Sequence, residues 1–495
     1  MCLRYLSFGL LLVISFFCSE AYSKEADWQE QRHLGNEFKT FHPPQELSGS
    51  MEQSPKIEEP TGAITLSQAI SLGLMRNPEL ITFSWEVRSA EARTLQAGLL
   101  PNPEISAEVE NIGGARELKG FNGSENTIQI NQLIELGGKR SKRKQLSELE
   151  KDLSGWDFEA KRLDVFTDIT KAFWDVLAAQ ERLSITRDLV QLSEQVYTTV
   201  VERVKAGKVA PLEEIQAKVA LTTIRIELEQ TKREMETTRK RLAATWGSSS
   251  PAFEKVIGEF DAVEPIPQQE QINKLVSQNP DIARWDTEIA KGHAAIKLKD
   301  ANAIPDVTIG AGPRYFNETN NNAFVMGISV PIPLFNRNQG ERLEARHNLS
   351  KAEEQRKAAQ IKVLTDLAQA YQELSSAYLS AAALKENALP GAQSAFNAAQ
   401  EGYREGKFSY LQVIDAQRTF FEIKRQYVTA LADYHKAKAN IERLIGDYVK
   451  SDTVKSSMKR GGDMEPQSSR SSTLSSDETR NSLWSQSYKI WKAIN

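Results

Sequence analysis

The sequence predicts a mainly α chain with a small β part, built as two copies of one unit. Three observations carry this. First, the chain matches itself at a shift near 200: Asn77, Pro78 and Glu79 lie over Asn279, Pro280 and Asp281, and Pro103-Glu104 over Pro305-Asp306, both at 202. VKAGKVAPLEEIQA (204–217) lies over YREGKFSYLQVIDA (403–416), and Trp246-Gly247 over Ile445-Gly446, at 199. Second, each copy contains one very long helical stretch of about 66 residues, which at 1.5 Å per residue spans about 99 Å, far beyond a globular diameter. Third, each copy carries two alternating segments of about 10 residues, the length at which a tilted strand crosses a bilayer.

The elements follow in order. Residues 1–23 (MCLRYLSFGLLLVISFFCSEAYS) read as a secretory signal peptide, with Arg4 before an apolar run and Ala21 and Ser23 at a small-residue cleavage site. Its removal takes away both cysteines, Cys2 and Cys18. An alternative makes Cys18 a lipidated N-terminus, against which stand the bulky Phe16 and Phe17. Residues 24–62 are polar and punctuated by Pro and Gly, a flexible leader in which His33, Glu37 and His42 are not preorganised as metal ligands.

The first copy, residues 63–263, opens with a helix from Leu66 to Leu99, broken locally at Asn77-Pro78 and stopped by Pro101 and Pro103. Strands over Ile105–Asn111 and Thr127–Leu136 flank a Gly/Asn-rich loop, with Ile128, Ile130 and Ile134 on one face and Gln129, Asn131 and Glu135 on the other. The long helix covers Ser141–Ala206, with Leu146, Leu149, Leu153 and Trp156 at coiled-coil spacing. Gly207 takes a left-handed cap, Pro211 starts the return helix, and that helix ends near Trp246. The second copy, residues 264–448, repeats the order: a helix over Gln269–Ala301, a strand with Val307, Ile309 and Ala311, and a strand with Phe324, Met326, Ile328, Val330 and Ile332. A long stretch from Gly340 to Glu405 follows, in which Pro390 imposes a kink. A turn at Gly406 then leads into a return helix, Leu411–Ile445. Residues 449–495 form a polar, disordered tail ending in Trp484, Tyr488 and Trp491.

Composition narrows the function. With 62 Lys+Arg against 66 Asp+Glu, the net charge of −4 excludes a generic nucleic-acid binder. A mean hydropathy of −0.46 argues against a helical membrane protein. Five His, two Cys and seven Met leave few ligands for a protein-built metal site, and none is assigned; no cofactor is expected. His293, His347 and His435 fall on different predicted helices, and no phosphate loop or nucleophile elbow is present, so no enzyme is expected and no catalytic residue is assigned. Four strands cannot close a barrel, since an open edge in lipid leaves backbone groups unpaired at several kcal/mol each. A dimer would supply eight strands and a trimer twelve, and only the larger number leaves a useful aqueous lumen.

The duplicated unit, over residues 63 to 447, resembles the TolC-type outer-membrane factors of Gram-negative export systems. AGLLPNPEIS (97–106), QLIELGGKRSKR (132–143), ISVPIPLFNRNQGE (328–341) and GYREGKFSYLQVIDAQR (402–418) are similar to the CzcC-like and CusC-like heavy-metal branch. The resemblance implies a TolC-like trimeric 12-stranded β-barrel continued by a long periplasmic α-helical barrel. It implies a homotrimer in outer-membrane lipid, fed by an inner-membrane RND pump through a periplasmic membrane-fusion adaptor. It places adaptor-docking tips at Gly207, Lys208, Leu212, Arg404, Gly406, Lys407 and Leu411. It puts a pore constriction at Asp415, whose counterpart in the first copy is Gln216, with Glu213 and Glu214 as compensating carboxylates. Divalent heavy-metal cations are the implied cargo. Drug efflux or type I secretion by the same fold remains open, as does a structural trimeric coiled coil of the envelope.

Overall fold

The computed structural model describes residues 59–116 and 119–446. The expectations for the signal peptide, most of the leader and the tail lie outside the described residues.

Strand β1 (Gly62–Thr65) leads into α1 (Leu66–Arg76), where Thr65 and Gln68 form a reciprocal capping box. Asn77 ends α1 in extended conformation, as the residue before a proline must, and caps α2 (Pro78–Ala97), whose first residue is that proline. Strands β2 (Glu104–Glu110) and β3 (Glu125–Ile134) follow, then α3 (Lys139–Lys205), a single helix of 67 residues, and its return α4 (Pro211–Ala244). The second copy begins differently from expectation. The predicted continuous helix over Gln269–Ala301 is instead α5 (Gln269–Asn273), a 3₁₀ turn over Val276–Gln278, and α6 (Pro280–Asn302). Asn279 is extended before Pro280, which stops the helix as in the first copy.

Strands β5 (Val307–Phe316) and β6 (Asn321–Ser329) precede α7 (Gln339–Ala383), α8 (Leu389–Arg404) and α9 (Tyr410–Ile445). Between α7 and α8 lies a π turn, Leu384–Ala388. Pro390, in the first turn of α8, cannot donate into an α-helical ladder, and the wider turn before it absorbs that missing donor. The first copy has no such proline and α3 runs through.

Asn77 and Asn279 tie the two copies in the same way. The Asn77 side-chain amide donates to the Thr245 carbonyl at 2.8 Å, and that of Asn279 to the Leu444 carbonyl at 2.8 Å, so each opening helix is pinned to the end of its own return helix. One element had no forewarning: β1 pairs in parallel with β4 (Phe253–Ile257), burying Ile64, Phe253 and Val256.

The remaining strands form one antiparallel sheet in the order β2-β3-β5-β6. Register places Ile105 opposite Ile130, Ile130 opposite Ala311, and Ala311 opposite Met326. One face is therefore apolar, with Ile128, Ile130, Phe324, Met326 and Ile328 exposed on it; Phe324 is 69% and Ile328 74% accessible. Ile134, at the end of β3, shares that face. Val330 and Ile332, expected in the last strand, lie beyond its end at Ser329. Pro331 and Pro333 have no N–H to donate, so the ladder stops before them.

Where α3 and α9 pack together, His435 is buried with its ring stacked on Trp174 at 3.8 Å and its Nε2 hydrogen-bonded to the Phe260 carbonyl at 2.9 Å. Burial holds its pKa below the ordinary 6.5; the Phe260 carbonyl opposes the shift and nearby Lys438 adds to it. The fold thus favours neutral imidazole, and the unfolded chain takes up a proton first as pH falls. Stability from this residue is present above about pH 6.5 and is lost below it. His435→Gln, which keeps a donor, is expected to shrink the drop in melting temperature between pH 7.5 and 5.5. An unchanged drop would refute the assignment.

Candidate functional site

The two hairpin tips are built alike. At the end of α3, Gly207 takes φ +69°, its N–H donates to the Val204 carbonyl at 2.9 Å, and the Lys208 N–H donates to the Arg203 carbonyl at 2.9 Å. At the end of α8, Gly406 takes φ +76°, donating to Tyr403 at 3.0 Å, while the Lys407 N–H donates to Gly402 at 2.7 Å. Both are Schellman caps, which need a residue tolerant of left-handed backbone at that point. A β-carbon on either glycine would meet open space. Lys208, Arg404 and Lys407 are exposed, and Leu212 and Leu411, each the second residue of its return helix, are 60% and 61% accessible. Lys407 pairs with Glu405 at 2.5 Å. Leu212, Ile215, Val219 and Ile226 make an exposed apolar stripe along α4.

Beneath the tips the two hairpins share a small core of Val200, Ala217, Tyr403, Tyr410 and Val413. The Arg203 guanidinium lies 4.3 Å from the centre of the Tyr403 ring and donates to the Tyr403 carbonyl at 2.6 Å. The Tyr403 hydroxyl donates to Glu213 at 3.1 Å. Burial, then the Glu213 charge, pushes the Tyr403 phenol up to about 12; burial, then Tyr403, does the same for Tyr410. Both stay protonated donors at physiological pH. Glu213 is half-buried and holds the two hairpins together, while Asp415 is exposed on α9 and makes no ion pair among the described residues. Sequence reasoning missed Arg203 and Tyr403, because their contact joins residues 200 apart. It also missed Gly402, where a β-carbon would run into the Phe408 ring.

The second face of the sheet is polar. Glu104, Ser106, Glu108 and Glu110 of β2, Glu125, Thr127, Gln129 and Asn131 of β3, and Arg314 of β5 share it by register. Arg314 pairs with Glu110 at 2.9 Å and Glu125 at 2.8 Å and donates to the Thr127 hydroxyl at 2.8 Å. The Asn131 amide donates to Ser106 at 2.9 Å. One wall is thus apolar and the other polar and net acidic. Among the described residues no three His, Cys, Asp or Glu side chains gather to hold a metal, and no helix is long and apolar enough to cross a membrane. An open groove of about 1010 Å³ beside the π turn is lined by Arg425 paired with Glu422 at 2.7 Å and Lys436 paired with Asp433 at 3.2 Å, by Glu373, and by Arg182, whose partner Glu234 lies outside the lining.

A family model described as outer membrane efflux protein matches residues 69–248 and 271–447. The cobalt-zinc-cadmium resistance protein CzcC of Cupriavidus metallidurans is 33% identical over 388 residues, covering 78% of this chain and 91% of that protein. The outer membrane protein TolC of Escherichia coli is 22% identical over 427 residues, covering 80% and 86%. Among solved structures, CusC superposes with a TM-score of 0.66 at 17% identity, covering 77% of this chain and 92% of its own. The outer membrane protein VceC of Vibrio cholerae does so at 0.64 and 18% identity, covering 78% and 97%. These structural likenesses show the fold. With both copies matched and two exposed tips beneath a two-faced sheet, the chain belongs to the outer membrane efflux protein family.

Proposed function

We infer that three copies of this chain form a passive conduit that carries divalent heavy-metal cations outward, fed by a periplasmic adaptor and an inner-membrane RND pump. The chain is a subunit of an outer-membrane efflux channel with a periplasmic extension. The observation that carries the cargo is the identity to CzcC, spread over nearly the whole of that cobalt-zinc-cadmium resistance protein. In this reading the apolar sheet face meets lipid, the polar face lines the lumen, the tips at Gly207 and Gly406 receive the adaptor, and Asp415 rings the periplasmic mouth in three copies.

Deletion followed by a sensitivity panel of zinc, cadmium, cobalt, copper, silver and drugs tests the cargo. Sensitivity to zinc, cadmium or cobalt is expected; sensitivity to drugs alone would replace metals with drugs. Purified protein in planar bilayers is expected to conduct, and a non-conducting oligomer would make it a structural envelope protein. In the same bilayers Asp415→Ala is expected to lower the preference for cations over anions, because it removes three carboxylates from one narrow ring. Unchanged currents and ion preference would remove Asp415 from the mouth.

A further inference from the structure

The strands β2, β3, β5 and β6 carry four carboxylates and one guanidinium, and all of these charges fall on the same face. Glu104, Glu108 and Glu110 alternate along β2, Glu125 opens β3, and Arg314 is the only Lys or Arg in the four strands. In register Glu110 faces Glu125, Glu108 faces Thr127, and Thr127 faces Arg314. Two carboxylates directly opposite one another on paired strands repel. Arg314 lies one same-face position away from that pair and reaches both members. Its guanidinium is 2.9 Å from Glu110 and 2.8 Å from Glu125, and its Nε donates to the Thr127 hydroxyl at 2.8 Å. The other Glu125 oxygen accepts from the Asn111 amide at 3.1 Å. These bonds hold the cation flat against the wall. Glu104 and Glu108 are different: both are exposed and make no ion pair among the described residues.

The triad sits where β2 ends, β3 begins and β5 ends, at the loop end of the sheet and away from the long helices. Twelve tilted strands about 4.8 Å apart put a barrel wall about 12 Å from its axis. At physiological ionic strength a charge is felt over about 8 Å, so wall charges act on most of that cross-section; in 1 M salt the range is about 3 Å and they do not. Rings of charge on such a wall choose between cations and anions.

We propose that Arg314 sets the ion preference of the outer end of the conduit, as a tethered counter-ion that offsets one of the two carboxylates at its rim. The proposal rests on the reading above, in which three copies enclose a lumen lined by the polar face. Cation preference along the barrel then comes from Glu104, Glu108 and the one negative charge the triad retains. No other basic side chain in these strands can take the place of Arg314.

The test uses the full-length oligomer purified from outer membranes, in planar bilayers with a gradient of about 0.1 to 0.01 M KCl, where screening lengths are about 10 to 30 Å. Asp415 is kept in every variant, so the periplasmic mouth contributes equally. Arg314→Gln is expected to shift the reversal potential toward the potassium equilibrium value. Glu110→Gln, which leaves Arg314 its Glu125 partner, is expected to shift it toward that of chloride. The two changes combined are expected to return it to the parent's value. In 1 M KCl all of these channels are expected to conduct alike. A parental reversal potential from Arg314→Gln overturns the proposal, as does a combined variant no closer to the parent than the single one. Conductance that still differs in 1 M KCl would show that Arg314 shapes the mouth instead of charging it, and also overturns it. If Arg314→Gln does not assemble, Glu110→Gln decides alone, an unshifted potential being the refuting result. A parent oligomer that does not conduct overturns the conduit reading itself.

Discussion

Gly312→Ala is expected to abolish the assembled channel in the outer membrane, while Gly310→Ala leaves it nearly at parental level. The two glycines sit two residues apart on β5, both on the polar face and both buried. They differ in what a methyl group meets. At Gly312 it would strike the Ile128 carbonyl oxygen and come within 2.7 Å of the Gln129 Cα, which are backbone atoms of the paired strand and cannot step aside. At Gly310 it would meet the Asn131 side-chain oxygen, the end of an amide that can rotate. The cost at Gly310 is then the Asn131–Ser106 hydrogen bond, about 0.5–1.5 kcal/mol. At Gly312 the β3–β5 ladder itself must open. In lipid each unpaired backbone group costs several kcal/mol, so losing two or three is enough to undo a marginally stable fold. The measurement is heat-modifiable oligomer in outer-membrane fractions. Gly312→Ala oligomer at the parental level would mean that this sheet does not cross the membrane as described.

How much of this was readable in advance depends on how local each cause is. The sheet faces followed from alternation alone, because a strand puts every second residue on one side whatever lies elsewhere. The tips followed from Gly207 and Gly406, since a left-handed cap is a property of one residue and its two neighbours. The opening of the second copy was misjudged as one helix although Asn279-Pro280 repeats Asn77-Pro78, and the same steric rule applies to both. Val330 and Ile332 continued the apolar alternation of β6, but a ladder also needs donors, and Pro331 and Pro333 supply none. Long-range contacts were not legible. The pairing of Ile64 with Val256, the stacking of His435 on Trp174, and the grip of Arg203 on Tyr403 join residues about 190, 260 and 200 positions apart. No short window encodes them. Glu213 was read as a free carboxylate for the pore by its position; its bond to Tyr403 became visible only once the hairpins lay side by side.

Gly406→Val is expected to abolish metal resistance while trimers still form and reach the outer membrane, and Gly406→Asn to retain most of that resistance. Valine is branched at Cβ and does not tolerate φ +76°, a strain of order 1–3 kcal/mol. Nothing lies within 4 Å of the added carbon, so no core contact is broken and the strain is relieved where it arises, by unwinding the cap. The Lys407 and Phe408 N–H groups then release the Gly402 carbonyl. Phe408 leaves its seat on Gly402, and exposed Leu411 shifts with the start of α9. Asparagine adopts left-handed backbone far more readily than valine and preserves the turn, so it separates the geometry of the tip from the mere presence of a side chain. The trimer seams, at the other end of the long helices, are untouched by either change. Detergent-resistant trimer, surface abundance and zinc, cadmium and cobalt sensitivity are measured in the same strains. Full resistance from the Gly406→Val variant at normal abundance would show that the shape of this turn plays no part in receiving a periplasmic partner.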